Sequence, residues 1–402
     1  MEDAPGPAPA DTRTIAFFGH DANESTIIKR ATAFELHGCR VIGFMFRRER
    51  GSTAERSPSW QNVDLGTTVD RNYLARVPRL LRAVLVLMRN RKLLCECNVL
   101  YARNIDMLLL AVVASRLIGR HSPAVVYECL DVQRVFVGSG PLSRAFRGME
   151  RLLLARSTLL VVSSPDFISR YFAPVHKRSS GWWLLENKVH IRDGDEAPRV
   201  PHRAPGPPWV IGWHGTLRCR QSLRMLARIA DVAGDKVMIQ IRGRPSPEDL
   251  TLEEIQAACH ERSNMIYAGP YRSPADLPLV YGPVHFSWCV DFLDLGSNSD
   301  WLIPNRIYEG GLMGVVALAR KGTATSRKVD EEQLGWSLPD PLAASVSDFI
   351  VSLDARSYLA ARDRIVAMDR GAFADLDDTR QLLLHIDELA KGRRRRSLLG
   401  LP

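Results

Sequence analysis

Short continuous apolar runs alternate with stretches of helical period along most of the chain. The first series predicts strands at 14–18, 41–46, 99–102, 124–129 and 159–163, none of them alternating polar with apolar. Buried strands separated by helices predict a parallel sheet covered on both faces. Between 191 and 208 (IRDGDEAPRVPHRAPGPP) five prolines and two glycines interrupt every period, and this reads as a linker. A second series then predicts strands at 209–213, 236–241, 265–268, 284–288 and 315–319, with a helix over 222–233. The predicted fold class is therefore α/β: two tandem doubly wound domains, 13–190 and 209–344, facing each other across a cleft. Helices are expected over 345–390, with disordered ends at 1–12 and 391–402 (KGRRRRSLLGLP). Ligands of such sheets bind outside the C-terminal strand ends. A two-substrate enzyme fits that arrangement.

Composition narrows the classes. With 402 residues, 46% hydrophobic and 25% charged, the chain has material for more than one buried core and is not disordered as a whole. Its 54 Lys and Arg against 45 Asp and Glu leave a net charge of +9, which favours anionic partners such as nucleotide phosphates or lipid headgroups. The basic residues are dispersed without interleaved aromatics, which argues against nucleic acid. Seven scattered cysteines form no pair of CxxC units and read as reduced thiols of a cytosolic protein. The acidic, proline-rich start is no secretory signal, and the longest apolar runs, 80–88 and 107–114, are too short to span a bilayer.

Two stretches carry most of the candidate chemistry. In GSNSDWLIPNRIYEGGLMGVVALA (296–319) a polar turn with Asn298 leads into a short helix, and Asn305 and Glu309, four apart, share one face. A carboxylate there can accept hydrogen bonds from vicinal hydroxyls of a sugar, with the helix start close to phosphate. On the residues alone it is equally a solvated helix position, with Gly310–Gly311 serving close packing. In the second stretch the strand WVIGW runs into HGTLRCRQSLRML. Gly215 allows a tight turn, Thr216 adds a hydroxyl, and Arg218 and Arg220 offer forked donors to a diphosphate. The alternative is a pair of surface arginines.

The first strand ends in Gly19-His20-Asp21, a single-glycine turn rather than the GxGxxG of a dinucleotide fold, so a dehydrogenase is disfavoured. His20 is a candidate proton carrier or a plain turn residue. Glu128 and Asp131 bracket the end of AVVYECLD, where a carboxylate can take a hydroxyl proton; a paired Glu128 and a helix-capping Asp131 are the alternatives. Ser163, Ser164 and Asp166 open the next helix as SSPDF, which reads first as N-capping.

These motifs in this order resemble the glycosyltransferases with two facing Rossmann-like domains (the GT-B type), specifically the large retaining family 4. YARNIDMLLLA, VVYECLDVQRVFVGSG, VVSSPDFISRYF, ENKV, IGWHGTLRCRQSL and PNRIYEGG together are similar to the succinoglycan-type exopolysaccharide glycosyltransferases of bacteria. The resemblance implies that the second domain binds a nucleotide diphosphate sugar and the first its acceptor. It implies that Gly19 faces the transferring sugar. It also implies that Arg218 and Arg220 take the diphosphate and that Glu309 is the second glutamate of an E-x7-E element, on the ribose. The first glutamate of that element falls on Trp301, beside Asp300.

The activity so implied is transfer of a hexose, glucose foremost, from UDP-glucose or a related donor to a lipid-diphosphate-linked oligosaccharide, with no metal or other cofactor. A binding scaffold of the same fold that has lost catalysis is the alternative, suggested by Trp301. A sugar-nucleotide epimerase is disfavoured because no acid–base pair for the sugar stands out. Residues 73–94 predict a helix from Pro78 on which Arg79, Arg82 and Arg89 lie within about 80° of one another. Such a helix suits either the surface of an anionic membrane or an internal position with one wet edge. The expected location is cytoplasmic, peripheral at the inner face of the cell membrane.

Overall fold

The protein was analysed as a computed structural model that describes residues 13–48, 58–68, 73–119, 122–191 and 203–398, the side chains at 48, 73–75 and 393–398 excepted. The expected tail at 1–12, most of the expected linker (192–202) and the last four residues lie outside the described residues. The chain divides into two compact units: Met1–Ser163 with Tyr171–Leu185 and Asp377–Pro402, and Ser164–Arg170 with Glu186–Leu376.

The first unit is built on seven parallel strands: β1 (Thr14–Gly19), β2 (Arg40–Arg48), β3 (Gln61–Thr68), β4 (Val99–Arg103), β5 (Ala124–Cys129), β6 (Leu159–Val162) and β7 (Trp182–Leu184). Their order is β3-β2-β1-β4-β5-β6-β7, with Ile15 of β1 in register with Val41 on one side and Val99 on the other. Five of these strands are the apolar runs of the sequence. Of the two outer ones, β3 (QNVDLGTT) is largely polar and β7 (WWL) is three residues long, since an edge strand is covered on fewer sides and can stay polar or short. Over the sheet Phe17, Phe34 and Tyr101 meet edge-on, with ring centroids 4.9 to 6.0 Å apart.

The second unit contains the short pair β8 (Val189–His190) and β15 (Ala374–Asp375) and a six-stranded parallel sheet. That sheet comprises β9 (Trp209–Leu217), β10 (Val237–Pro245), β11 (Met265–Tyr267), β12 (Phe286–Trp288), β13 (Val316–Arg320) and β14 (Gly335–Leu338), in the order β11-β10-β9-β12-β13-β14. The order reverses direction between β9 and β12. Right-handed crossovers therefore put the helices Arg220–Ala233 and Leu252–His260 on one face and Asn305–Leu312 and Ala324–Glu331 on the other. Trp209, Phe286 and Tyr358 pack together in the core, Trp209 and Tyr358 at 5.0 Å.

Three details differ from the sequence reading. The helix expected from Pro78 begins at Tyr73 and carries Pro78 inside it, where the proline withholds one backbone hydrogen bond. The helices expected over 345–390 divide: Leu342–Ser352 and Ala355–Ala367 pack in the second unit, whereas Asp378–Leu398 belongs to the first. There Leu382, Leu383 and Ile386 enter the core, and Arg13 pairs with Asp387. The expected disordered tail is thus helical as far as Leu398.

The described end of the linker is also anchored. Arg203 is 5% exposed and donates to four carbonyls: Gly282 (2.9 Å), Tyr281 (2.9 Å), Met313 (2.8 Å) and Gly314 (3.1 Å). These carbonyls end the helices Leu277–Tyr281 and Asn305–Leu312, where no intrahelical donor remains and a cation is favoured. The His285 ring donates to Ala204 O and accepts from Val210 N, fixing the entry to β9. Gly310 and Gly311 serve packing: a Cβ on Gly311 would sit 2.2 Å from the buried Phe373 ring.

Two stability predictions result. Arg203→Met strands four carbonyls and should lower stability by about 2–4 kcal/mol in chemical denaturation. Gly311→Ala should cost about 1–3 kcal/mol by overpacking, read as a lowered melting temperature, while Ala at the open Gly392 should change little.

Candidate functional site

The reversal of strand order between β9 and β12 marks the expected ligand edge of the second sheet. At this edge Gly215 (φ +107°) lies in register with Gly243 (φ +143°), and a Cβ on Gly243 would fall 1.7 Å from Gly215 O. The two strand ends can approach this closely only because Gly243 has no side chain. One residue earlier in register, His214 of β9 stands beside Arg242 of β10.

His214 is 1% exposed, edge-on to Tyr281 at 4.6 Å, and its Nε2 lies 3.4 Å from Gln240 Nε2. With that amide donating, the ring accepts at Nε2 and carries its proton on Nδ1. Burial above all, then the charges of Arg306 and Arg242, push its pKa down to about 3, so the ring is neutral. Arg242 has a buried Nε and no hydrogen-bond or ion-pair partner among the described residues. Arg306, in the first turn of the helix Asn305–Leu312, also has a buried unpartnered Nε and gives one hydrogen bond, to Val290 O at 3.2 Å. Two guanidinium groups thus bear on one uncharged ring, with no carboxylate in hydrogen-bond or ion-pair contact with either among the described residues, although the charge of Arg242 also reaches Asp276. Such a site is electrostatically suited to an anion.

Glu309 follows on the same helix and is 8% exposed. Its carboxylate accepts from Ser273 Oγ (2.7 Å), Tyr271 Oη (3.0 Å) and Tyr281 Oη (3.1 Å), and it has no ion pair among the described residues. Burial first and the Glu309 charge second raise both tyrosines, which therefore stay protonated donors. About four lone-pair sites on a carboxylate leave about one for a further donor. The helix residue of the sequence reading is consequently buried and polar-lined rather than solvated.

The other expected donor-side residues divide. Arg218 lies at the reversal point, 3.4 Å from Asp291 beyond β12. Arg220 does not join the site: its guanidinium makes a bidentate pair with Glu254 at 2.6 and 2.9 Å, at the start of the helix Leu252–His260. That hydrogen bonding holds Glu254 down to about 2. Arg220 opens a helix on the face opposite to Glu309, and this placement is why proximity in sequence to Arg218 misled. Gly215 and Thr216 lie within β9 rather than in the expected turn, with Thr216 exposed; Asn298 is buried in the short helix Asn298–Trp301, and Asn305 is half-buried at the helix start. Asp300 is committed to Arg320 and to the Gly296 amide, so it does not stand free in place of the glutamate that Trp301 replaces. Arg242, Arg306, His214, Tyr271 and Ser273 were not foreseen. The available signal was Arg242 directly after the run Lys236–Ile241 that predicts β10.

In the first unit the carboxylate expected as a base is structural. Glu128 is 1% exposed and lies between Arg103 (2.9 Å) and Arg30 (3.0 Å). Burial by itself would raise its pKa, but the two arginine charges outweigh that and keep it below the usual range. A base enclosed in this way does not reach a substrate. Asp131 is exposed in the loop after β5, ahead of the next helix, which starts at Arg134 with Gln133 as its N-cap. The space beside Gly19 is filled by Ile27, whose Cδ1 would be 2.6 Å from an added Cβ, and by the Met45 side chain, so this glycine favours close packing of the first helix. His20 accepts at Nδ1 from Asn104 Nδ2 (3.3 Å) and points Nε2 at Glu24 (2.5 Å). It lines a small cavity with Arg76, Arg79, Leu80, Asn104 and Gln133. Ser164 is the N-cap that the sequence predicted, accepting from Asp166 N.

No protein-family model matches the chain. A curated relative, the succinoglycan biosynthesis protein ExoL of Rhizobium meliloti, is 34% identical over 363 residues, covering 89% of each chain. Among solved structures, HepE of Anabaena in complex with UDP and glucose superposes with a TM-score of 0.66 at 13% identity, covering 94% of this chain and 100% of its own. Sucrose-phosphate synthase of Thermosynechococcus elongatus gives 0.64 at 14% identity, covering 96% and 99%. The latter two establish the GT-B fold. Taken with the identity to ExoL, they show that the chain belongs to the succinoglycan-type family of bacterial exopolysaccharide glycosyltransferases.

Proposed function

We propose that this glycosyltransferase moves a hexose, glucose foremost, from a UDP-sugar to a lipid-diphosphate-linked oligosaccharide, held peripherally at the inner face of the cell membrane. The observation that carries the donor half is the pair Arg242 and Arg306 around neutral His214, at the strand edge where α/β sheets take ligands. UDP as the nucleotide is supported by HepE, which was solved with UDP and glucose.

In this reading the diphosphate lies against Arg242 and Arg306, with Arg218 beside them in place of Arg220. Glu309, anchored by Tyr271 and Tyr281, gives its remaining lone pair to a ribose hydroxyl. The leaving diphosphate gains negative charge as the glycosidic bond breaks, and fixed guanidinium groups stabilise that charge more than the ground state. No metal or other cofactor is invoked. His20 and Asp131, and no longer Glu128, are the groups assigned to the acceptor's proton.

Arg242→Ala and Arg306→Ala should each weaken UDP binding in calorimetry, and kcat/KM for UDP release, by roughly 10- to 100-fold, since a hydrogen bond to a charged group contributes about 1.5–3 kcal/mol. Arg220→Ala should change either by less than about threefold, because its exposed pair with Glu254 adds little. Wild-type UDP affinity in both of the first two variants would remove the donor-site reading. UDP binding with no product from any of a panel of UDP-, GDP- and dTDP-sugars and lipid-linked acceptors would favour the scaffold alternative.

A further inference from the structure

The helix Tyr73–Arg89 buries one side and leaves another bare. Ala83 and Leu87 are fully buried, whereas Val77, Leu81, Leu85 and Met88 are 52%, 65%, 54% and 53% exposed. At about 100° per residue these four fall within about 80° of helix surface, one continuous apolar stripe. Arg82 and Arg89 follow at its border, about 40–60° further round. Lys92 follows in the next short helix, Arg91–Cys95. None of these three cations has a partner among the described residues, and no Asp or Glu occurs between Tyr73 and Cys95.

An exposed apolar row bordered by unpaired cations is what an amphipathic helix lying in a membrane interface presents. The absence of acidic residues favours an anionic surface over a protein partner, whose register is usually set by charges of both signs. Because the helix is already folded into the unit, docking it requires no coil-to-helix ordering. Its buried side supplies Arg76, Arg79 and Leu80 to the cavity that His20 lines, so one helix joins the bare stripe to that cavity.

We propose that this stripe docks the enzyme on a bilayer containing anionic lipid, with Leu81 and Leu85 entering the interface and Arg82, Arg89 and Lys92 lying on headgroups. The proposal gives a surface to the membrane location in the reading above, but it depends on no part of the donor site. Among the described residues no helix is long and apolar enough to cross a membrane.

The full chain is tested by flotation with vesicles of phosphatidylcholine alone and with phosphatidylglycerol added. Wild type should float with the anionic vesicles, less so in high salt, and poorly with the neutral ones. Leu81→Ser with Leu85→Ser, and separately Arg82→Glu with Arg89→Glu, should each lower partitioning by about tenfold or more, given the apolar area and charge removed. Melting temperature and UDP affinity, measured on the same preparations, should stay at wild-type values. Equal flotation of the leucine variant and wild type would overturn the proposal. So would a wild type that ignores anionic vesicles, or a stripe that instead joins two copies of the chain in analytical ultracentrifugation. Failure of UDP binding alongside intact flotation would count against the donor site and leave the docking face standing.

Discussion

Parallel strands send all their C-terminal ends to one edge, and in the second unit Gly215 and Gly243 let two of those ends come close enough for His214 and Arg242 to stand side by side. The rest of the site depends on how that juxtaposition is kept neutral where it is buried. A protonated His214 between Arg242 and Arg306 would bring a third positive charge into a low-dielectric place, so the ring stays uncharged and serves as an aromatic wall. Glu309 does not neutralise the arginines by pairing with them. Its charge is taken up by three hydroxyls, which leaves the guanidinium groups for an external anion.

The contrast with Glu128 shows why a carboxylate at a strand end is not by itself a catalytic group. Glu128 and Glu309 are both buried acids of parallel α/β units, yet their partners assign them opposite duties. Two arginines enclose Glu128, and removing it would leave both cations buried without compensation, so it holds its unit together. Glu309 is instead met by hydroxyls of Ser273, Tyr271 and Tyr281, with no ion pair among the described residues. Arg203 applies the same logic to stability: one cation collects carbonyls from two helix ends and holds the entry to β9, the strand that carries the site.

The first unit distributes its polarity differently. His20, Arg76, Arg79 and Asn104 converge on a cavity, and the helix that brings the two arginines there also turns a bare apolar row outward. Arg76 is paired with Asp106 at 2.6 Å, which separates the inward cations from the outward ones. Ordered charge on one helix thus serves two surfaces.

The sequence by itself determined the class of fold, because continuous apolar runs separated by amphipathic stretches admit only a covered parallel sheet, and ten of the thirteen strands of the two large sheets are such runs. It also drew attention to 212–220 and 296–319, the stretches that hold His214, Arg306 and Glu309, and offered close packing as one reading of Gly310–Gly311. It did not decide which charged residues cooperate. Arg218 and Arg220 are neighbours in the chain but sit at the sheet edge and on a helix start respectively, whereas Arg242 and Arg306, 64 positions apart in the numbering, bear on one histidine. Electrostatic function depends on distances of a few ångströms and on burial, both of which arise only when strands from different parts of the chain align in register. Local spacing carries the period of an element but not the identity of what the next element places beside it.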